Sequence, residues 1–294
     1  MNSVDVLDIN AFDDADGKVG FYCNNFKTHL INHHKTITVP HKHNFFLTVI
    51  FTQGTGIHEI DFERYAVQSG SVFMLNPGQA HYWELSDDIE GIIFFHSQEF
   101  FDLSFTKQSI YDFPFFYSVH NPSALFISQQ EMEPILTYFQ QLLAEYRQKR
   151  MLSKPKVVSL LNCIYIDLSR MYLGQETKEV LKPDVYAGHL RNLEMLIDTH
   201  FKTEKSPSAY AEMLHITIRH LNRLTQQSLG KSPTQLITER IMLEAKRMMV
   251  YDSSSLSRIA NELGYEDYPY FSRLFKKWVG ISPSAFSNAY KADG

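Results

Sequence analysis

The chain has 294 residues, enough for two or three domains, and its 44% hydrophobic and 21% charged content is ordinary for a globular protein. No apolar run reaches bilayer length and the acidic N-terminus lacks the apolar core of a secretory signal, so we expect no membrane segment and no export. Cys23 and Cys163 match no metal-binding or disulfide spacing, which favours a cytoplasmic protein. The net charge of −5 divides unevenly, because residues 1–186 carry 14 basic and 22 acidic side chains whereas residues 187–294 carry 14 and 11.

The first part of the chain, from about Gly20 to Phe95, has the pattern of an antiparallel β-domain. Short runs rich in β-branched and aromatic residues alternate with Gly and Pro turns. The predicted strands are residues 45–52, 57–62, 64–67, 71–75, 80–85 and 91–95. We therefore expect a barrel or sandwich within residues 1–127, with the Phe- and Tyr-rich segment 96–127 packed against it.

Helices are predicted in the rest of the chain. Residues 128–150 carry apolar side chains at helical spacing, and a second helix begins at Pro155 and stops at Gly174. Residues 175–186 are polar and form the expected linker. Only helices are predicted from Ala187 onward, so the fold class is α+β: a β-barrel with following helices, then an all-α domain.

The all-α part contains the same short pattern twice. Arg223-Leu224, Gly230, Ser232 and Pro233 recur as Arg273-Leu274, Gly280, Ser282 and Pro283, at an offset of 50. The upstream residues Ala211 and Leu214 recur as Ala260 and Leu263 at an offset of 49. The slip of one predicts a duplicated helix–turn–helix with one extra turn residue in the second copy.

The second helix of each copy lies in a segment without carboxylates. Acidic residues are absent from Met213 to Thr238 and from Tyr268 to Lys291, where a phosphate backbone would approach. Arginine suits a guanine edge, asparagine suits adenine, and lysine suits phosphates. The candidate DNA-binding residues are Thr217, Arg219, Asn222, Arg223, Lys231, Tyr268, Tyr270, Arg273, Lys276 and Lys277. The alternative is that these cations form ordinary surface salt bridges, which two windows in register with a repeat disfavour.

The stretch Ser255–Phe286 resembles the signature of the AraC/XylS family of bacterial transcription regulators. The matching residues are Ile259-Ala260, Leu263-Gly264-Tyr265, Tyr270-Phe271-Ser272-Arg273-Leu274-Phe275-Lys276-Lys277, Gly280 and Ser282-Pro283-Ser284-Ala285-Phe286. The resemblance implies two helix–turn–helix motifs, held by one connecting helix, that enter successive major grooves of promoter DNA. Its base-contacting positions fall on Arg219, Arg223, Pro269, Tyr270 and Arg273, and Pro269 departs from the pattern because it has no side-chain donor.

The resemblance also implies partners and an assembly. We expect RNA polymerase as a partner of a DNA-bound activator or repressor, and a homodimer formed through the helical segment 128–174. The expected domains are then residues 1–127 for sensing, 128–174 for dimerisation, 175–186 as linker and 187–294 for DNA binding.

The β-domain carries a second resemblance, to cupin barrels, which are common sensor domains in this family. His41-x-His43 precedes one strand, and Pro77-Gly78-Gln79-Ala80-His81 precedes another. A metal cupin would place a Glu where this chain has Leu47, so we expect neither a metal nor another cofactor. The candidate residues for a small-molecule effector are His41, His43, His81, Tyr82 and Trp83.

The predicted function is therefore an effector-responsive transcription regulator without enzymatic activity. Two alternatives stay open at this point. One is a cupin metalloenzyme with a DNA-binding tail, and the other is a constitutive DNA-binding dimer whose β-domain binds nothing.

Overall fold

The computed structural model describes residues 6–12, 20–33, 40–105, 107–117, 121–175, 185–251 and 254–292. They belong to two units, one within Asp5–Val180 and the other within Leu181–Gly294. The predicted linker lies, from residue 176 to residue 184, outside the described residues. A search of the described helices for one long and apolar enough to span a bilayer found none.

The first unit combines short strands with five helices in its described part. The strands are β1 Val6–Leu7, β2 Phe21–Asn25, β3 Lys42–His43, β4 Phe46–Gln53, β5 Gly56–Ile60, β6 Glu63–Val67, β7 Ser71–Leu75, β8 His81–Leu85, β9 Glu90–His96 and β10 Ala124–Phe126. The helices are α1 Phe26–His33, α2 Gln98–Ser104, α3 Pro114–Tyr117, α4 Gln129–Gln148 and α5 Ser153–Gln175.

The strands form two main antiparallel sheets. One has the order β10-β7-β4-β9-β2, and the other has the order β6-β5-β8. A parallel β1–β3 pair lies apart from them, and a backbone bridge between His41 and His81 joins this region to β8. Among the described residues the sheets pack face to face as in a jelly roll without closing into a complete barrel, and we call this arrangement the sandwich.

Side-chain alternation along the central strands gives the five-stranded sheet two buried faces. On β4, Leu47 and Val49 pack in the core shared with the three-stranded sheet. Their neighbours Phe46 and Ile50 belong to a second core that contains residues of α4 and α5. The five-stranded sheet is thus the middle layer of three, which explains why its strands are apolar on both sides.

The helices α4 and α5 begin and end for identifiable reasons. Ser128 accepts the backbone N–H of Glu131, whose carboxylate accepts the N–H of Ser128, so a capping box starts α4. The helix α5 continues to Gln175, one residue beyond the predicted stop at Gly174. A single glycine costs a helix only about 1 kcal/mol, and the buried Tyr172 holds the last turns against the unit.

The second unit is helical throughout its described residues. Its helices are α6 Val185–His200, α7 Pro207–Met213, α8 Ile218–Leu229, α9 Pro233–Tyr251, α10 Leu256–Glu262, α11 Tyr268–Val279 and α12 Pro283–Ala292. The sequence predicts helices over residues 187–201, 207–214, 217–229, 234–250, 256–263, 268–279 and 283–290. Every observed end lies within two residues of these bounds, the ordinary uncertainty of a helix boundary. The long helix α9 contacts α8, α10, α11 and α12, so one element braces both repeats.

An ionic cluster fixes α9 to α6. The guanidinium of Arg240 donates to Asp198 at 2.7 Å and to Glu244 at 3.0 Å, and it lies 4.1 Å from the ring centre of Phe201. Glu244 also accepts from Arg247 at 3.3 Å. Planar guanidinium stacking of this kind is the reason that arginine, rather than lysine, suits such a position.

Candidate DNA-binding and effector sites

The duplication predicted from the sequence is present in the backbone. The first helices, α7 and α10, each have 7 residues, and the second helices, α8 and α11, each have 12. Residues 214–217 connect the first pair and residues 263–267 connect the second. The second turn is therefore longer by one residue, which confirms the explanation of the 49-to-50 slip.

The two turns share one conformation. His215 has φ +55° and Gly264, at the equivalent position, has φ +78°. After each, a backbone N–H reaches back to the carbonyl of a buried alanine: Ile216 to Ala211 at 3.0 Å and Tyr265 to Ala260 at 2.9 Å. The first copy thus places a histidine in the left-handed region that normally favours glycine.

The helix α8 presents cations on its outer face. Thr217 caps it by accepting the backbone N–H of His220 at 3.2 Å. Arg219 and Arg223, one helical turn apart, are both exposed. With Thr217 and His220 they line a surface concavity of about 290 Å³. The exposed N-terminal half of this helix has the chemistry that a major-groove reader requires.

Two of the predicted DNA-binding residues in this first copy form hydrogen bonds within the protein. Asn222 donates its side-chain amide to the carbonyl of Ile218 at 2.9 Å. Lys231 donates to Glu239 at 2.8 Å. Each of these interactions competes with a contact to a base or phosphate.

The helix α11 repeats the arrangement with different side chains. Tyr270 is 51% exposed, and Arg273, Lys276 and Lys277 are also exposed. Tyr268 is half-buried and its ring lies 6.5 Å from that of Phe271.

Pro269 lies in the first turn of α11, where its missing N–H costs no helical hydrogen bond. Arg223 and Arg273 are each the sixth residue of their helix. The two arginines therefore occupy equivalent faces of the duplicated motif.

In the sandwich, four histidines come together, and we call His41, His43, His58 and His81 the histidine cluster. Nε2 of His43 lies 2.9 Å from Nε2 of His81, and Nε2 of His58 lies 3.0 Å from Nδ1 of His81. The ring centres of His41 and His81 are 4.4 Å apart. All four side chains are at most 3% exposed, so the cluster lies inside the sandwich rather than at an open mouth.

Burial favours the neutral form of His43, His58 and His81. Desolvation lowers the pKa of His43 to about 3, with a further contribution from His41. Desolvation also lowers the pKa values of His58 and His81 well below the ordinary value. A neutral imidazole has one N–H donor and one bare acceptor nitrogen, so each contact in the cluster has a direction.

The predicted effector residues do not all meet. His81 and Trp83 alternate with Tyr82 along β8, and the two former side chains are buried inside the sandwich. Tyr82 donates its hydroxyl hydrogen to Glu59 at 3.0 Å, and desolvation together with this hydrogen bond raises the tyrosine pKa to about 12. Tyr82 therefore lies apart from the cluster. Leu47, at the position a metal cupin gives to Glu, is a buried core residue.

The sequence interpretation missed His58. It lies on β5 opposite Trp83 on β8, in a register that also pairs Ile60 with His81. The alternating pattern of β5 was a usable signal, because it places His58 on the same inward face as Ile60. Among the described residues, no group of three or more His, Cys, Asp or Glu side chains is arranged to hold a metal ion.

The fold and sites define a two-domain regulator, with a jelly-roll ligand-binding domain followed by a double helix–turn–helix domain. Two family models match the chain in this order: the AraC-like ligand binding domain over residues 28–160 and a helix-turn-helix domain over residues 210–289. Together they cover well over half of the chain. The protein belongs to the AraC family of transcription regulators.

Curated relatives match this chain over most of their own length. The HTH-type transcriptional activator RhaS of Enterobacter sp. (strain 638) is 23% identical over 248 residues, which is 83% of this chain and 85% of that protein. RhaS of Escherichia fergusonii matches with the same identity and coverage.

Two solved structures resemble this chain with TM-scores below 0.5. The fatty acid-bound ToxT of Vibrio cholerae is 13% identical with a TM-score of 0.43, covering 93% of this chain and 97% of that one. The C-terminal domain of the response regulator AraT from Geobacillus stearothermophilus is 27% identical with a TM-score of 0.34, covering 37% of this chain and 88% of that one.

Proposed function

We propose that this protein is a sequence-specific regulator that binds promoter DNA through α8 and α11 and responds to a small organic effector bound in the sandwich. The main observation behind this proposal is the equivalent placement of Arg223 and Arg273, both exposed, on two helices of equal length. Arg219 and Tyr270 extend the two reading faces, while Lys276 and Lys277 supply phosphate contacts.

The effector part of the proposal rests on the histidine cluster. Buried polar side chains cost free energy unless their hydrogen bonds are satisfied, so four histidines and a tryptophan in one core are there for a reason other than packing. The lowered pKa values of His43, His58 and His81 favour neutral rings, which suit an uncharged organic ligand better than an anion. The nitrogens also fail to converge on one point, since His81 engages His43 and His58 through different ring atoms. We therefore propose no metal and no catalytic activity.

The assembly and the output complete the proposal. Two copies joined through α4 and α5 would present four helix–turn–helix motifs to paired half-sites. At the tip between these helices Met151 is 92% exposed and Leu152 is 72% exposed, which offers apolar surface outside the core of the unit. The relatives are named activators, and we propose activation through contact with RNA polymerase, in the cytoplasm.

The first experiment measures binding of the full-length protein to duplex DNA as salt is raised. Sites are selected from a random-sequence library and compared with scrambled duplexes. Contact with phosphates through both helices predicts a log–log slope of about −0.9 per neutralised phosphate. Binding that is independent of salt, or equal for selected and scrambled duplexes, contradicts the proposal.

The second experiment tests effector control. Any compound that shifts DNA affinity must have its own affinity shifted by DNA by the same factor, since the coupling is reciprocal. We expect a coupling of roughly 1–3 kcal/mol. A compound that binds the sandwich without changing DNA affinity would support the constitutive alternative.

A further inference from the structure

The hydrogen bonds of the histidine cluster have a fixed direction that begins at His43. Nδ1 of His43 lies 3.1 Å from the backbone carbonyl of Phe45. A carbonyl only accepts, so Nδ1 of His43 carries the hydrogen and its other nitrogen, Nε2, is bare in the neutral ring. The 2.9 Å contact with His81 therefore requires Nε2 of His81 to donate.

The same logic continues to the end of the chain of rings. Because neutral His81 carries its hydrogen on Nε2, its Nδ1 is bare and accepts. Nε2 of His58, 3.0 Å away, must then donate. Nδ1 of His58 is consequently a bare acceptor, and it is fully buried without a hydrogen-bond partner among the described residues.

A buried donor that complements this acceptor lies on the neighbouring ring. Nε1–H of Trp83, a donor with no acceptor function, is also buried without a partner among the described residues. The ring centres of His58 and Trp83 are 4.8 Å apart. Aromatic rings pack against this pair, with Phe73 edge-on to His58 at 4.5 Å and Phe26 edge-on to Trp83 at 5.3 Å.

We propose that His58 and Trp83 form the polar end of the effector subsite and recognise a hydroxyl group on an otherwise apolar molecule, that is, a phenol or alcohol. A hydroxyl is the smallest group that donates to Nδ1 of His58 and accepts from Nε1–H of Trp83. A carboxylate supplies no donor and would leave the His58 nitrogen facing negative charge. An ammonium supplies no acceptor for the indole. This assignment rests on the proposed effector function of the sandwich and specifies its chemistry.

The test uses the full-length protein labelled with ¹⁵N in histidine, and long-range ¹H–¹⁵N spectra that report the tautomer of each ring. Phenol is the probe, and anisole, which accepts but cannot donate, is its matched control. We expect phenol to move the Nδ1 resonance of His58 upfield as that nitrogen gains a hydrogen bond, while anisole leaves it in place. The signal is assigned by its loss in His58→Gln.

Two internal controls sharpen the test. His96 is buried and both of its nitrogens are within 3.0 Å of oxygen partners, so its signals should not respond to phenol. Trp83→Phe removes the indole donor and keeps an aromatic ring. It should weaken phenol binding about fivefold to tenfold, the effect of losing one hydrogen bond.

The outcomes separate this subsite from the proposed function. An unchanged His58 resonance at saturating phenol, or equal shifts with phenol and anisole, overturns the hydroxyl assignment, as does an Nδ1 already hydrogen-bonded to a structural water. If phenol raises the melting temperature while only other signals move, the sandwich binds ligands elsewhere and only the subsite fails. DNA binding, measured separately, decides the rest of the proposed function.

Discussion

Tyr165 on α5 donates its hydroxyl hydrogen to Nε2 of His96 on β9 across 2.8 Å, inside the core of the first unit. The direction follows because Nδ1 of His96 donates to the carbonyl of Ser97 at 3.0 Å, and burial lowers the pKa of His96 to about 4. Thr48 on β4 lies 3.5 Å from the same hydroxyl. The helix that leads to the second unit along the chain is thus hydrogen-bonded to the two central strands, whose opposite faces form the sandwich core.

Tyr165→Phe should destabilise the first unit by roughly 1–3 kcal/mol, since it leaves the buried Nε2 of His96 without a donor. Urea unfolding of the full-length protein measures the change. Tyr138→Phe on α4 is the matched control, and we expect it to stay within about 0.5 kcal/mol of the parent. If Tyr165→Phe is as mild as the control, the hydrogen bond contributes nothing to the link between α5 and the sheet.

The first unit should lose stability as the pH falls. The folded pKa values of His43, His58, His81 and His96 are depressed, whereas the unfolded rings titrate near about 6.5. Below that pH the unfolded chain binds protons that the folded chain does not, so stability is complete above about 6.5 and declines toward the folded pKa values. Each histidine should cost roughly 1.4 kcal/mol per pH unit in that range.

The pH effect is measurable through a single fluorophore. The chain has two tryptophans, Trp83 and Trp278, so Trp278→Phe leaves Trp83 as the reporter of the sandwich. Its urea midpoint should be lower at about pH 5.5 than at about pH 7.5. A midpoint that does not change over this interval would show that the histidines are not buried in neutral form.

Gly264→Ala should be markedly more destabilising than Gly230→Ala. Both glycines have positive φ, +78° and +63°, so both substitutions carry the left-handed cost of about 1–2 kcal/mol. A Cβ at Gly264 would lie 2.1 Å from the carbonyl oxygen of Lys202, whereas a Cβ at Gly230 would meet nothing within 4 Å. The overlap with backbone should add roughly 1–3 kcal/mol.

The comparison of the two alanine variants also tests how the motifs are held. The loop around Lys202 precedes the first copy and packs against the turn of the second, where Lys205 lies over the ring of Tyr265 at 4.9 Å. Gly264→Ala should therefore weaken DNA binding as well as stability. Equal urea midpoints for the two variants would show that the collision with Lys202 adds no destabilisation to Gly264→Ala.

Local sequence patterns predicted β4 to β9 and α4 to α12, whereas the shorter elements before β4 and between β9 and α4 were not predicted. The recognition helices end at Gly230 and Gly280 in left-handed caps, and their starts are marked by Thr217 and Pro269. The 49-residue and 50-residue offsets predicted that the second turn is one residue longer than the first. Such features need no knowledge of distant contacts.

The parts that the sequence did not predict depend on pairing between distant segments. His58 joins the cluster only because β5 pairs with β8 in one particular register. Tyr82 leaves it for the same reason, since a one-residue step along a strand reverses the face. The ion pair between Lys231 and Glu239 on α9, at 2.8 Å, is a further contact that local sequence patterns did not predict.

The sharpest test of DNA recognition is a comparison of three substitutions that remove cations from equivalent or neighbouring positions. Arg223→Ala and Arg273→Ala should each weaken binding to selected duplexes by roughly 1–3 kcal/mol and relax preference at one position of the site, because a bidentate arginine–guanine contact is lost. Lys277→Ala should weaken selected and scrambled duplexes alike and reduce the salt slope by about 1.

Arg258→Ala serves as the matched control for these three, because Arg258 is an exposed arginine of the same domain that pairs with Glu262 on α10 at 2.8 Å. It should leave affinity, preference and salt slope close to those of the parent. Since Arg223 and Arg273 are both the sixth residue of a 12-residue helix, their relaxed positions should lie in successive major grooves, about one helical turn of DNA apart. If Arg223→Ala keeps full discrimination while Arg273→Ala loses it, only the second motif reads bases, and the first positions the protein on the backbone.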